Sequence, residues 1–267
     1  MDPLELRRRN TLRVGSTTAT GQVLRESVGL LDCIDWVEER LESLYDVTSA
    51  EVPSQRTAWG VAAAYKNTGL GGGAPDVAEA EVEVTRDGMA EVRISSADLG
   101  QGLTTVLAQI AAEVLGLPFG QVHVLLSDTD LTPDGGPTTA SRQTFVSGNA
   151  ARYAAERLRR RMAGVAAERW DVPPDAVRFE GGEIYAALGP DMSPQHAAPF
   201  GDVVGWLIDA GHEPRLRYSY HAPETKPLGE GGDMHFAFGF SAQAAQVAVD
   251  LESGEVQVLR VVAAADG

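Results

Sequence analysis

The feature that most constrains this chain is a run from Glu79 to Leu115 in which two alternating strands lead, through a glycine-flanked glutamine, into an apolar helix. Glu79 to Thr85 alternates polar and apolar residues, the period of a strand with one buried face. Asp87-Gly88 supplies a turn, and a second strand runs from Ala90 to Ser95. The hairpin delivers the chain into Asp98-Leu99-Gly100-Gln101-Gly102. There the glycines let the backbone come close to a ligand, and the Gln101 amide offers a carbonyl acceptor and two donors. Val106, Leu107, Ile110, Ala111, Val114 and Leu115 share one face of a helix from Leu103 to Leu115 that Gly116 ends. The first-turn amides of that helix favour an anion or an electron-rich oxygen. The same spacing also suits a plain hairpin-to-helix turn in which Gln101 caps backbone groups, and a short Gly-x-Gly does not choose between the two.

A second loop of this kind follows a strand from Val122 to Leu126, with Ser127-Asp128-Thr129 at its exit. A stretch rich in proline, glycine and threonine, Thr132 to Thr139, leads to a long helix from about Phe145 to Glu168. Just before it, Thr138-Thr139-Ala140-Ser141-Arg142-Gln143-Thr144 gathers hydroxyls, small side chains and one guanidinium. Arginine can clamp a phosphate through two hydrogen bonds while nearby amides serve the remaining oxygens. The alternative is a hydroxyl-rich helix cap with Arg142 as a surface charge.

Around these loops the pattern mixes helices and hairpins. Asp2 to Asn10 reads as a short helix capped by Asp2 with Pro3 in its first turn, and Thr17 to Gly21 as a break. Apolar residues from Val23 to Leu44 recur at three- and four-residue steps, which predicts an amphipathic helix over Gln22 to Tyr45 with Cys33 in or beside its buried face. A polar link, a strand from Ala58 to Lys66 and a flexible loop, Gly69 to Pro75, come next. Beyond Trp170 the reading is a small hairpin around Gly181-Gly182, a loop, and a helix near Phe200 to Ala210. Strands then fall near Arg215 to His221, Phe238 to Asp250 and Val256 to Ala264. Without a strict strand–helix alternation, the class is α+β, mixed sheets with flanking helices.

Composition narrows the function. The 267 residues, 43% hydrophobic, support one large domain or two smaller ones. A net charge of −16 argues against a nucleic-acid partner, which needs a basic stripe. The basic run Arg157 to Arg161 lies in a helical pattern and reads as a solvated face or as i,i+4 pairs. A single cysteine, Cys33, excludes an intrachain disulfide and a cysteine-built iron–sulfur or zinc site, and fits a reducing cytoplasm. No run reaches the roughly 18 apolar residues of a membrane span, and the start lacks a signal-peptide plan, so the expectation is a cytoplasmic protein. The five histidines show no metal-ligand spacing, and His123 reads as packed on its strand.

Taken together, Asp98 to Thr105, Gln109 to Glu113, Asp128-Thr129 and Pro137 to Gly148 resemble the molybdenum-cofactor-binding region of the xanthine dehydrogenase and aldehyde oxidase family. The stretches Met1 to Asn10, Thr18 to Gln22 and Phe236 to Asp266 resemble other parts of the same large subunit, so the likeness spans essentially the whole chain.

The resemblance implies a fold of the molybdopterin-binding type throughout residues 1–267. It places the cofactor loops in about 1–170 and a second, truncated α+β lobe in about 171–267. It also implies that Gly100, Gln101 and Gly102 bind the pterin or an oxygen ligand of the metal, and that Thr139, Ala140, Ser141 and Arg142 line the pterin phosphate or a cytosine dinucleotide extension. In this family the pterin dithiolene holds the molybdenum, so no protein ligand is expected. The activity implied is hydroxylation of an aldehyde or of an N-heterocycle such as a purine, with water as the oxygen source. The [2Fe-2S] clusters and FAD are expected on partner domains or subunits, in a hetero-oligomer.

Two family segments are not matched: the loops that flank the metal, and the glycine-rich segment bearing the glutamate general base. The chain therefore reads as an internal slice or separately encoded piece, inactive alone, with its base elsewhere. Glu230, in Gly229-Glu230-Gly231, is the one internal candidate for that base, but its surroundings read better as a connecting turn. The competing reading is a cofactor-binding or assembly module of the same fold that turns nothing over.

Overall fold

The computed structural model describes residues 1–45, 54–187 and 194–266. In chain order its elements are α1 (Pro3–Asn10), α2 (Leu30–Tyr45), β1 (Gln55–Thr68), β2 (Val77–Val84), β3 (Ala90–Ile94), α3 (Leu103–Leu115), β4 (Val122–Leu126), α4 (Gly148–Trp170), β5 (Val177–Glu180), β6 (Glu183–Ala187), β7 (Pro194–Pro199), α5 (Phe200–Asp209), β8 (Arg215–His221), β9 (Ala237–Asp250) and β10 (Val256–Asp266). The class is α+β. Part of the polar link after Tyr45 and part of the loop after Ala187 lie outside the described residues.

Two compact units form, residues 1–74 with 224–267, and residues 75–223. This differs from the boundary expected near residue 170. The reason is long-range strand pairing: β1 joins β9 antiparallel from Gln55↔Asp250 to Thr68↔Ala237, which draws the C-terminal strands to the N-terminal residues. In the first unit the sheet order is β1-β9-β10, and Cys33, Ile34, Val37 and Leu41 of α2 pack with Phe240, Ala242, Ala244 and Val262. The same pairing extends β1 beyond the expected Ala58 to Lys66. Asp2 caps α1, accepting from the amides of Leu4 at 2.8 Å and Glu5 at 3.1 Å.

Helix α2 begins at Leu30, eight residues later than periodicity suggests. Upstream, Gln22 N–H donates to Thr18 Oγ1 at 3.2 Å and Thr18 N–H donates to the Gln22 carbonyl at 2.9 Å, which closes a tight turn. Such side-chain-to-backbone bonds compete with helix formation.

The second unit carries the two loops. Its main sheet has the order β4-β3-β2-β8, with β3 and β4 parallel and the other neighbours antiparallel. Ala78, Ala80, Val82, Val92 and Ile94 are buried with Leu103, Leu107 and Leu115 of α3 and with Ala150, Ala154 and Leu158 of α4. Alternation sends Glu81, Glu83 and Glu91 to the other face, where Arg93 bridges them at 3.0, 2.7 and 2.6 Å. The long helix starts earlier than expected, as a π-helical turn over Gln143–Ser147 that continues into α4. A smaller sheet, β5-β6-β7, contains the hairpin at Gly181-Gly182 and one strand, β7, that the sequence did not signal. His123 is exposed on β4 and not packed as expected. Among the described residues no helix is long and apolar enough to cross a membrane.

Candidate functional site

The parallel pair β3 and β4 is in register from Ala90↔Val122 to Ile94↔Leu126, so both chains leave the sheet side by side at the same end. Loops at the carboxyl ends of parallel strands are where α/β sheets bind ligands, because amides and helix starts converge there. The loop after β3 holds Asp98 to Gly102 and enters α3. The loop after β4 holds Pro137 to Arg142 and enters the π turn.

Backbone and hydroxyl bonds lock the two loops together. Ser95 N–H donates to the Pro133 carbonyl at 3.0 Å, Ser127 N–H donates to the Ile94 carbonyl at 3.1 Å, and Ser127 Oγ donates to the Ser96 carbonyl at 2.9 Å. Gly135 N–H donates to Ser95 Oγ at 2.7 Å. Nearest the candidate residues, the Ala97 amide donates to Thr138 Oγ1 at 2.9 Å, while the Ala97 carbonyl accepts from Gln101 Nε2 at 2.9 Å. Ala97 is thus a joint between the glutamine of one loop and the threonine run of the other.

The first loop is exposed and satisfies itself. Asp98 accepts from the amides of Gly100 at 3.0 Å, Gly102 at 3.3 Å and Thr104 at 3.1 Å, and from the Thr104 hydroxyl at 3.2 Å. These bonds, that of the Thr104 amide first, hold its carboxyl below the ordinary carboxylate range. The helix start expected to be open to an external anion is therefore partly occupied by Asp98. Gly100 and Gly102 have φ of 103° and 79°, where a side chain would be strained, and a Cβ on either would project into open space. Gln101 folds onto its own loop, with Oε1 accepting from the Leu99 amide at 2.5 Å. One amide hydrogen and one carbonyl lone pair remain beyond those two bonds.

The second loop corrects a prediction. Arg142 is neither a surface charge nor a phosphate clamp, because its side chain is 0% exposed. Its Nε donates to Asp76 Oδ1 at 2.6 Å, Nη1 to the carbonyls of Gly135 at 2.8 Å and Pro137 at 3.0 Å, and Nη2 to the Val77 carbonyl at 2.7 Å. A buried guanidinium requires such a set of acceptors, and this one uses four of its five N–H groups inside the protein. Thr139 and Ser141 are exposed and Ala140 half-buried. Ala140 and Ser141 both adopt left-handed backbone, with φ of 54° and 53°. Non-glycine residues in that region store roughly 1–3 kcal/mol each and cluster at ligand sites.

The structure thus brings Gly100, Gln101 and Gly102 to the same sheet end as Thr139, Ala140 and Ser141, and places Arg142 behind them. Glu230 lies in an exposed turn of the other unit, its amide donating to the Pro227 carbonyl at 3.2 Å. Asp76, Ser96 and Ser147 support the loops although sequence reasoning gave them no role, and Thr138 of the candidate segment bonds to Ala97 and to Gln143. A pairing between Asp76 and Arg142, 66 residues apart, leaves no local signal. Among the described residues no group of three or more His, Cys, Asp or Glu is placed to hold a metal ion.

Residues 34–267 match the model of the molybdopterin cofactor-binding domain family. The chain belongs to that family. Over 209 residues it is 34% identical to the probable hypoxanthine oxidase XdhD of Escherichia coli K12, covering 74% of this chain and 19% of that protein. It is also 34% identical over 162 residues to the aldehyde oxidoreductase of Megalodesulfovibrio gigas, covering 59% of this chain and 18% of the relative. The fold matches the crystal structure of quinoline 2-oxidoreductase from Pseudomonas putida 86 with a TM-score of 0.71 at 26% identity, over 98% of this chain and 34% of that one. The molybdopterin-binding domain here therefore spans about a fifth of the length of these curated relatives, which are oxidoreductases of the xanthine dehydrogenase and aldehyde oxidoreductase type.

Proposed function

We propose that this molybdopterin-binding domain serves a hydroxylase acting on an N-heterocycle such as a purine, or on an aldehyde, and that its two loops form one wall of the cofactor site. The single observation that carries this reading is the shared exit of the loops from β3 and β4, with Ala97 joining Gln101 to Thr138. The donor set fits a phosphate-bearing pterin: an open glycine-flanked face at Gly100 and Gly102, a glutamine with a spare donor, and the hydroxyls of Thr139 and Ser141. When bound, the molybdenum cofactor supplies oxidative hydroxylation with oxygen taken from water.

In this reading Gln101 donates its free amide hydrogen to a polar oxygen of the cofactor. Thr139, Ala140 and Ser141 line the phosphate end, or a cytosine dinucleotide extension, through hydroxyls and main chain. Arg142 holds their loop from behind and touches no ligand. None of these residues is a general base at neutral pH, and Glu230 sits in a solvated turn, so proton removal is assigned to a carboxylate outside these loops. Electrons are assigned to leave through [2Fe-2S] and FAD partners in a hetero-oligomer. A relative from Pseudomonas putida KT2440, itself one subunit of a nicotinate dehydrogenase and 40% identical over 123 residues, supports such an assembly.

The test is molybdenum analysis with a dye-reduction assay on the full-length gene product, using aldehyde and purine substrates. A product that carries molybdenum and reduces dye supports the proposal. Molybdenum without turnover leaves the non-catalytic module as the reading, and a product without molybdenum overturns both.

A further inference from the structure

Beneath the two loops the Ala97–Thr138 bond continues into a closed ring of partly and fully buried hydrogen bonds, whose other members have no part in the roles above. Thr138 Oγ1 accepts from the Ala97 amide at 2.9 Å and from Gln143 Nε2 at 3.1 Å, and Gln143 Nε2 also donates to the Pro137 carbonyl at 3.2 Å. Gln143 Oε1 accepts from the Ser147 hydroxyl, and Ser147 Oγ lies 3.3 Å from Ser96 Oγ. Ser96 precedes Ala97 in the chain, so the circuit closes. Ser96 and Ser147 are 0% exposed and Gln143 is 7% exposed. Gln143 and Ser147 are the first and last residues of the π turn, a helical irregularity that recurs at functional sites.

Apolar groups of the same shape could fill this volume at similar stability, because a buried hydrogen bond adds little net energy once its desolvation is counted. What apolar groups could not do is fix one loop against the other, since only directional bonds select a single spacing. We infer that Thr138 and Gln143 are positioning residues: through this ring they set the spacing between the Gly100–Gly102 loop and the Thr139–Ser141 loop, and with it the retention of the cofactor. The inference rests on the cofactor reading proposed above.

The experiment uses the full-length, cofactor-loaded protein. Thr138→Val removes the hydroxyl at nearly constant shape, Thr138→Ser restores it, and Val203→Ala perturbs a fully buried site in α5 away from the loops. Two quantities are read: hydrogen exchange at the Ala97 amide, which needs no cofactor, and the rate of molybdenum loss on dilution. Thr138→Val is expected to speed each about tenfold, the equivalent of ~1.4 kcal/mol. Thr138→Ser is expected to stay within about twofold of wild type, and Val203→Ala to release molybdenum at the wild-type rate. Gln143→Met is read the same way should Thr138→Val not fold. Wild-type exchange and release in folded Thr138→Val overturn the inference, as does equally fast release from Val203→Ala. A wild-type protein without molybdenum overturns the cofactor reading instead, and the Ala97 exchange still tests the ring.

Discussion

The two loops leave neighbouring strand ends and are held by opposite means. The loop after β3 is solvent-facing and secured by its own residues: Asp98 and Gln101 bind backbone groups no more than six positions away. The loop after β4 hangs on a fully buried arginine whose ion-pair partner, Asp76, is 66 positions distant. The tip of the first loop, Asp98 to Gly102, closes on itself, while its root at Ala97 is tied to Thr138. A loop anchored through the core cannot move without disturbing β2, to which Arg142 is bonded at Val77.

The contrast breaks most visibly at Arg142. Arg142→Met removes the cation that Asp76 faces in the interior and takes the guanidinium donors away from the carbonyls of Gly135, Pro137 and Val77. Unfolding free energy in chemical denaturation is expected to fall by about 3–5 kcal/mol, the usual consequence of breaking a buried pair. Arg142→Lys is expected to recover only part of this, since an ammonium cannot reproduce the planar fork. A variant of Arg142 that unfolds like wild type would remove the distinction between the loops.

A smaller effect is expected at Asp98. Asp98→Ala removes the acceptor for the Thr104 amide in the first turn of α3 and for the Gly100 and Gly102 amides before it, and a fall of a few degrees in the unfolding temperature is expected by calorimetry. The pH dependence has a fixed sign. The folded pKa of Asp98 is depressed, so its contribution is complete above the ordinary carboxylate pKa and is lost as pH falls through the folded value. The gap between wild type and Asp98→Ala should therefore be constant near neutrality and close on acidification below the ordinary carboxylate range. A gap that persists at low pH would contradict the capping role.

The contrast also explains what was legible in the sequence. Helix α3 was readable to the residue because its apolar positions recur locally and Gly116 ends it, its φ of 68° suiting a C-cap glycine. The β2–β3 hairpin was readable from alternation around Asp87-Gly88. The Gly100–Gly102 stretch was legible as a glycine-flanked turn into α3 for the same reason, since the bonds of Asp98 and Gln101 lie within six positions. Arg142 was misread because the partners that draw it into the core, Asp76 and the Val77 carbonyl, lie 66 and 65 positions away, and no spacing rule links positions so far apart. The early part of the predicted Gln22 to Tyr45 helix failed likewise, through Thr18 and through Gly29, whose amide donates to Asp266 at 2.9 Å. The boundary near residue 170 missed the pairing of β9 and β10 with β1. The π turn that sets Gln143 and Ser147 has no sequence signature at all.

The smallest stability effects are expected at the residues proposed to touch the ligand. Gln101→Ala and Ser141→Ala truncate exposed side chains, and unfolding free energy should change by no more than about 1 kcal/mol, the larger part at Gln101 for its two loop hydrogen bonds. These same substitutions test the central claim, that both loops hold one molybdopterin. The direct measurement is molybdenum and pterin retained per chain by the full-length protein after exhaustive buffer exchange. The account predicts a loaded wild type and about tenfold lower retention in each variant, the loss of one polar contact from either side of the same ligand. Wild-type retention in both variants, or a wild type that carries neither molybdenum nor pterin, would contradict it.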